Sequence, residues 1–312
     1  MRIAFFIHNE WAFGSIHYEL AKYLHPHDID ATVINWSVSY STEEMLEYDR
    51  QVDLFVTIPQ GLLSLHSYGI PLEKCHVIFH SDLDIIYYNE HISAPQQAAI
   101  GRLGAVSLWL LDRSKELNVN REVIHLPLGI NYKRHYATPS TELKSIGYAG
   151  TFLDRDQLPP NYLSDPPGWG PNLHKRAYII KELAEKLNLK FVVASKYHNT
   201  FITMAGFYPT VDCVMCASIK EGAGLPMMEA GPSGKLVLTT QVGHFNERIT
   251  ENGAILLPLD EEQYKIEAEK LLRFYIDNPE EYRKKCAAIQ EHAKSYDWSN
   301  VVQHWVSMFT TT

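Results

Sequence analysis

Short apolar runs recur along this chain, each followed by residues at helical spacing. Residues 3–7, 31–36, 52–58, 76–79, 105–107 and 122–126 read as strands. Residues 16–24, 42–48, 95–100 and 110–117 read as helices between them, with a loop or helix at 61–68. A run of four to eight apolar residues without alternation suits a strand buried on both faces, as in a parallel sheet. Parallel strands need long crossovers, and helices supply them. The pattern resumes with strands at 145–151, 191–194, 211–217 and 254–257 and helices at 177–187, 262–276 and 280–294. Between the two halves, residues 132–143 carry Pro139 and several Ser and Thr and read as a linker. The expectation is α/β, with two doubly wound domains, and 312 residues suffice for both.

Hydrophobic residues make up 46% and charged residues 21%, which fits a globular chain. A net charge of −9 argues against wholesale nucleic-acid binding. Cys213-x-x-Cys216 looks like half a zinc or redox motif. It lies in an apolar strand, where positions three apart face opposite sides, and no second pair accompanies it. Buried free thiols are expected for Cys75, Cys213, Cys216 and Cys286. No run approaches the 18 apolar residues or so of a membrane span. The five apolar residues after Arg2 are too few for a signal peptide. The chain reads as cytoplasmic, and peripheral membrane attachment stays open.

The most informative stretch runs from Ser218 to Gly231. A buried strand feeds a Gly222-Ala223-Gly224 turn, and a helix follows with Pro226 in its first turn, where a missing N–H costs nothing. Strand, glycine turn and helix start make an anion site, because free N–H groups converge there. Glu221 and Glu229 frame it with seven residues between them. Carboxylates accept hydrogen bonds only, so they suit sugar or ribose hydroxyls rather than phosphate. Phosphate flanked by hydroxyls outlines a nucleotide sugar. The bland alternative is a helix whose N-terminal carboxylate simply suits its dipole. The dinucleotide fingerprint fails, since its third glycine position is Met227 and no acidic residue stands at 239–241.

Ser218 to Gly231 resembles the Glu-x7-Glu signature of retaining glycosyltransferases of family 4, which have the GT-B fold. Residues 235–247 resemble the family's next strand and its Gly-Gly-x-x-Glu turn, with Val242 in place of the first glycine. Residues 207–212 resemble the approach to the signature strand, and residues 126–131 the interdomain junction, with Asn131 replacing Asp. The resemblance implies two Rossmann-like domains facing a cleft: residues 1–131 on the acceptor side and 132–296 holding the donor. Residues 297–312 would form a last helix crossing back to the first domain.

The resemblance also implies site residues. Gly14 lies in a loop, residues 9–15, that would face the ligand. The family usually shows two glycines there. His80, at the end of the fourth strand, would contact the donor sugar, although a histidine satisfied at a strand end is the plainer reading. Asp82-Leu83-Asp84 imitates the Asp-x-Asp metal motif of the other glycosyltransferase fold, but the Glu-x7-Glu signature argues against that architecture. Ten of the fifteen histidines fall within residues 1–135 without a metal-binding spacing.

The family carries a Gly-Arg pair and then a lysine to neutralise the leaving diphosphate. Here Thr151 stands in the arginine's place, Lys175 is the expected lysine, and Arg176 or Arg155 would substitute for the arginine. Cations at a helix start are disfavoured without an anion nearby, which favours a functional role for Lys175-Arg176. The insertion 153–173, rich in Pro and Gly with Trp169, reads equally as a lid or a surface loop. Residues 195–200 would reach the nucleobase.

The expected activity is transfer of a hexose from a UDP- or GDP-linked sugar to an acceptor hydroxyl on a glycan, lipid or small molecule, with retention. No metal and no cofactor beyond the donor is called for. Catalytic roles fall to His80, Lys175 and Glu221. Donor binding falls to Gly14, Arg155, Arg176, Gly222, Ala223, Gly224, Leu225 and Glu229. An epimerase or phosphorylase on the same fold, or a non-catalytic sugar-nucleotide-binding subunit, remains open. The sugar, base, acceptor and oligomeric state cannot be read.

Overall fold

The computed structural model describes residues 1–8, 11–157, 173–195, 200, 202–245 and 252–311. Most of the 153–173 insertion, including Trp169, lies outside the described residues. So do residues 196–199 of the segment expected at the nucleobase, and Glu247. Two compact units account for the chain: Met1–Ile130 with Tyr296–Thr312, and Asn131–Ser295.

The first unit holds a six-stranded sheet of β1 (Arg2–Ile7), β2 (Asp30–Asn35), β3 (Leu54–Thr57), β4 (Cys75–Phe79), β5 (Leu103–Ala105) and β6 (Val123–His125). Its order is β2-β1-β3-β4-β5-β6, and every pair is parallel. β3 and β4 are buried along their whole length, as unbroken apolar runs require. The order reverses between β1 and β3, and in such sheets ligands bind beyond the carboxyl ends of the strands, at the reversal.

The helix Trp298–Thr310 belongs to this unit. Trp298 and Trp305 are fully buried. The Trp305 indole N–H donates to the Pro127 carbonyl at 2.9 Å. Gly129 lies against Trp298 so closely that a Cβ would meet the indole at 2.5 Å, so no larger residue fits. Ile130 N–H donates to Tyr296 O, and Trp298 N–H to Ile130 O, each at 3.0 Å.

The second unit holds β7 (Ser145–Ala149), β8 (Lys190–Ala194), β9 (Cys213–Cys216), β10 (Leu236–Thr240) and β11 (Ile255–Leu257). Their order is β11-β10-β9-β7-β8, again all parallel, with the reversal between β7 and β9. The Asp212 carboxylate fixes that junction by accepting from the Ser145 hydroxyl at 2.8 Å and the Lys144 N–H at 3.0 Å. All four cysteines are buried and free, as their spacing implied. Among the described residues, no helix is long and apolar enough to cross a membrane.

Two local readings need correction. Gly14 does not sit in a loop: the first helix already begins at Trp11 and runs to Leu24, with Gly14 buried inside it. Phe13 extends the apolar stripe of Ile16, Leu20 and Leu24 by one turn, and His17 bonds back to the Phe13 carbonyl at 2.9 Å. Residues 132–143 are also not a plain linker. Asn131 caps a short helix, Tyr132–His135, by accepting from Arg134 N–H at 3.0 Å. That helix is tied into the second unit by the Ser233 hydroxyl, which donates to His135 O at 2.5 Å.

Candidate functional site

β9 ends at Cys216, and the chain turns through Ala217 and Ser218, both fully buried. The glycine turn follows. Gly224 adopts φ +80°, a left-handed conformation that suits glycine. The loop after β10 closes over the turn. Its Gly243, at φ +64°, leaves no room for a side chain, since a Cβ would lie 2.6 Å from the Ala223 carbonyl oxygen. His244 N–H donates to that same oxygen at 2.9 Å, and the Thr240 hydroxyl donates to Ser218 O at 2.5 Å.

The helix that follows, Leu225–Ala230, has Pro226 in its first turn but is only six residues long. Its dipole is correspondingly small. What the turn offers an anion is hydrogen bonding. The N–H groups of Gly222, Ala223, Gly224 and Leu225 meet no acceptor among the described residues.

Glu221 carries the charge of the site. Its side chain is 12% exposed and accepts from Lys175 Nζ at 2.5 Å and from the Ser218 hydroxyl at 2.7 Å. Burial pushes its carboxyl up, but the Lys175 ammonium and the Ser218 hydroxyl outweigh burial and leave it below the ordinary 4.5. Lys175 closes a single turn, Leu173–Lys175, which is stitched alongside by the Ile219 N–H donating to His174 O at 2.9 Å. Tyr148, at the end of β7, completes the surround. Burial, then the neighbouring Cys216 and Glu221, raise its phenol above the ordinary range, and its hydroxyl donates to Thr151 O at 3.0 Å. These groups gather at the ends of β7 and β9, the reversal point of the second sheet.

The two candidate arginines stand elsewhere. Arg176 is 4% exposed, at φ +47°, and donates through Nε to Ala217 O and through Nη1 to Leu259 O, each at 2.7 Å. It braces the segment behind the turn. Arg155 forms ion pairs with Glu182 at 2.5 Å and Glu261 at 2.7 Å, and its guanidinium lies 4.4 Å from the centre of the Tyr178 ring. Of the three cations read from the sequence, Lys175 is the one set beside Glu221.

Glu229 lies farther along the short helix in a different setting. It is 8% exposed. The Tyr208 hydroxyl donates to Oε2 at 2.5 Å, and His135 Nε2 lies 3.8 Å from Oε1. Burial raises its carboxyl to about 7, with the Tyr208 hydrogen bond and the more distant Arg134 charge pulling the other way. Tyr208 and His135 also meet ring to edge, with centroids 5.7 Å apart.

In the first unit, His80 follows β4 and packs against Phe13 and His17, with ring centroids at 4.9 and 5.5 Å. Its Nε2 is buried without a hydrogen-bond partner among the described residues. Burial, then the His17 ring, push the His80 imidazole well below its ordinary value, and burial holds His17 at about 4. Both rings are therefore neutral at pH 7. The His17–Phe13 bond requires the proton on His17 Nδ1, because a carbonyl only accepts. Asp84 of the Asp-x-Asp sequence is a buried cap. Its carboxylate accepts from the N–H groups of His80 and Ser81, each at 2.8 Å. A separate groove of about 330 Å³, lined by Asp53, His76, Arg102 and Phe309 among others, opens at the opposite, amino ends of β3 to β5.

Sequence reasoning missed Ser218, Thr240, Tyr208, His135 and His17. Ser218-x-x-Glu221 has the spacing of a capping box, which was a usable signal. His17 follows Phe13 by one helical turn. Nothing in the spacing points to Tyr208 or His135.

No protein-family model and no curated protein matches the chain. Solved structures do match it. Sucrose-phosphate synthase of Thermosynechococcus elongatus superposes with a TM-score of 0.67 at 12% identity, over 99% of this chain and 98% of that one. Anabaena HepE, solved in complex with UDP and glucose, gives 0.64 at 13% identity over the whole of both chains. The catalytic domain of starch synthase IV from Arabidopsis thaliana, bound to ADP and acarbose, gives 0.66 at 11% identity over 99% of each. These neighbours are glycosyltransferases of GT-B type. The fold is GT-B. At such identities the likeness is one of architecture. Within the GT-B frame, the Lys175–Glu221 pair lies at the sheet reversal of the second domain.

Proposed function

We propose that the chain is a retaining glycosyltransferase similar to family 4, moving a hexose from a nucleoside-diphosphate sugar to an acceptor hydroxyl. The observation that carries this reading is the Lys175–Glu221 pair beside a turn whose N–H groups face no acceptor among the described residues. A half-buried ammonium held by a carboxylate next to open N–H groups suits a diphosphate whose charge grows as the sugar leaves. Solved neighbours hold UDP-glucose or ADP, which accords with this reading.

In this mechanism the donor diphosphate rests on the Gly222 to Leu225 N–H groups and on Lys175. The bond between the anomeric carbon and the phosphate oxygen breaks, the diphosphate keeps the electron pair, and the acceptor oxygen takes its place on the same face while its hydroxyl proton passes to the departing phosphate oxygen. Glu221 holds Lys175 ready and offers its second oxygen to sugar hydroxyls. Glu229 accepts from the ribose. Lysine and N–H groups take the part that a metal plays in other transferases.

The test is a thermal-shift and calorimetric screen of UDP, GDP, ADP and their common sugars against the wild type and Lys175→Ala. Saturable stabilisation by one nucleotide series, weakened in the variant, is the expected outcome and names the base. Product analysis with candidate acceptors then follows. A well-folded wild type that binds none of these nucleotides would sink the reading.

A further inference from the structure

Glu229 faces a requirement that its own position in the chain does not meet. An acceptor for ribose hydroxyls must hold its carboxylate in one orientation, because hydrogen bonds weaken steeply as their angles close. Glu229 lies on a six-residue helix, too short to provide that rigidity by itself. The orientation comes from outside the helix. Tyr208, in the turn Tyr208–Thr210 that precedes β9, is fully buried, and its hydroxyl donates to Glu229 Oε2 at 2.5 Å. His135, 4% exposed and carried on the helix Tyr132–His135, stands 3.8 Å from Oε1. The Ser233 hydroxyl anchors the His135 backbone, and Ser233 stands three residues beyond the end of the short helix. Two segments remote from Glu229 in sequence thus converge on its carboxylate.

We infer that Tyr208 is a positioning residue that aims the Glu229 carboxylate at the ribose, and so sets discrimination between ribose and deoxyribose nucleotides. The inference rests on the donor-site reading above. A carboxylate has room for about four hydrogen bonds over its two oxygens, so the Tyr208 bond leaves the rest for ligand. The Tyr208 hydroxyl also favours the ionised form of Glu229, opposing the burial that raises it. Without that hydroxyl the carboxyl would be free to rotate and would ionise less readily. The base and diphosphate contacts would be untouched.

The experiment compares, by calorimetry, the best-binding nucleoside diphosphate among UDP, GDP and ADP with its 2′-deoxy and 3′-deoxy forms. The proteins are wild type, Tyr208→Phe, Glu229→Gln and the double variant. The wild type should prefer the ribose form over at least one deoxy form by roughly tenfold, as expected when a hydrogen bond to a charged acceptor is lost. In Tyr208→Phe that preference should fall to within about twofold, with the deoxy forms binding as in wild type. The double variant should lose no more than Glu229→Gln alone. A purely structural role for Tyr208 would weaken all forms together, and that result would overturn the inference, as would an unchanged preference. If Tyr208→Phe does not fold, Glu229→Asp takes its place. It keeps the charge but withdraws it from the hydroxyl, so a retained preference there would count against the inference. A wild type that binds nucleotides with no ribose preference overturns this inference alone, whereas one that binds no nucleotide overturns the donor site itself.

Discussion

Glu221 and Glu229 flank the same turn, both largely shielded from water, yet their protons behave oppositely. Glu221 meets an ammonium at 2.5 Å and titrates below 4.5, whereas Glu229 meets a phenol at the same distance and titrates near 7. Desolvation pushes both upward, so burial does not separate them. The partner's formal charge does. A hydroxyl stabilises a carboxylate through one dipole, while an ammonium adds a full opposite charge in a medium that screens weakly. One carboxylate is thus built to stay ionised and the other to sit at the edge of ionisation near neutral pH.

Removing the ammonium should break the contrast most severely. Lys175→Ala leaves Glu221 buried with only Ser218 as partner, a loss of about 4 kcal/mol for a broken buried pair. The expected reading is a clear drop in denaturant midpoint together with loss of nucleotide binding. An unchanged midpoint would show that the pair is solvated in solution.

Glu229→Gln should act in the other direction. Because the folded value of Glu229 is raised to about 7, the folded state binds more protons than the unfolded chain between pH 4.5 and 7. Wild-type stability from this group therefore falls across that window and is flat above it. The glutamine variant lacks the decline, so its advantage over wild type should grow from pH 5 to pH 8, by on the order of 3 kcal/mol. Parallel urea titrations at the two pH values measure it, and equal differences at both would contradict the assignment.

Gly243→Ala disturbs the Glu221 side without touching a charge. The new Cβ would press on the Ala223 carbonyl from a left-handed backbone, costing about 2 kcal/mol. Nucleotide binding should weaken while the pH dependence of Glu229→Gln relative to Glu229 persists. Ser218→Ala is the mildest change. It removes one hydroxyl from a carboxylate that keeps its ammonium, about 1.5 kcal/mol. Denaturant unfolding should show the full loss above pH 4.5, fading as the pH falls through the lowered value of Glu221.

How much of this could be read beforehand depends on the range of the interaction. The two parallel sheets follow from strand and helix periodicity, which is local, and the glycine turn with its glutamates is local too. Lys175 follows from the resemblance to the family's diphosphate lysine, supported by a cation standing near a helix start. Arg155 and Arg176 are both open to the role of the missing arginine in sequence, but their partners, Glu182 with Glu261 and the carbonyls of Ala217 and Leu259, lie far along the chain. Tyr208 and His135 converge on Glu229 from 21 and 94 positions away, at distances no spacing rule covers. Gly14 was misplaced because the helix start depends on Phe13 joining the apolar stripe, a choice made by packing against His17 and His80.

The return of the chain at Tyr296 governs the order of assembly during synthesis. Ile130 hydrogen-bonds to Tyr296, and Trp298 fills the space that Gly129 leaves. The unit whose strands leave the ribosome first therefore waits for the last two tryptophans before its core can close. The unit spanning Asn131–Ser295 has all its residues by then. The earlier-born half matures later, and a chain stalled before Trp298 would carry one finished domain and one with its hydrophobic face exposed to chaperones and proteases.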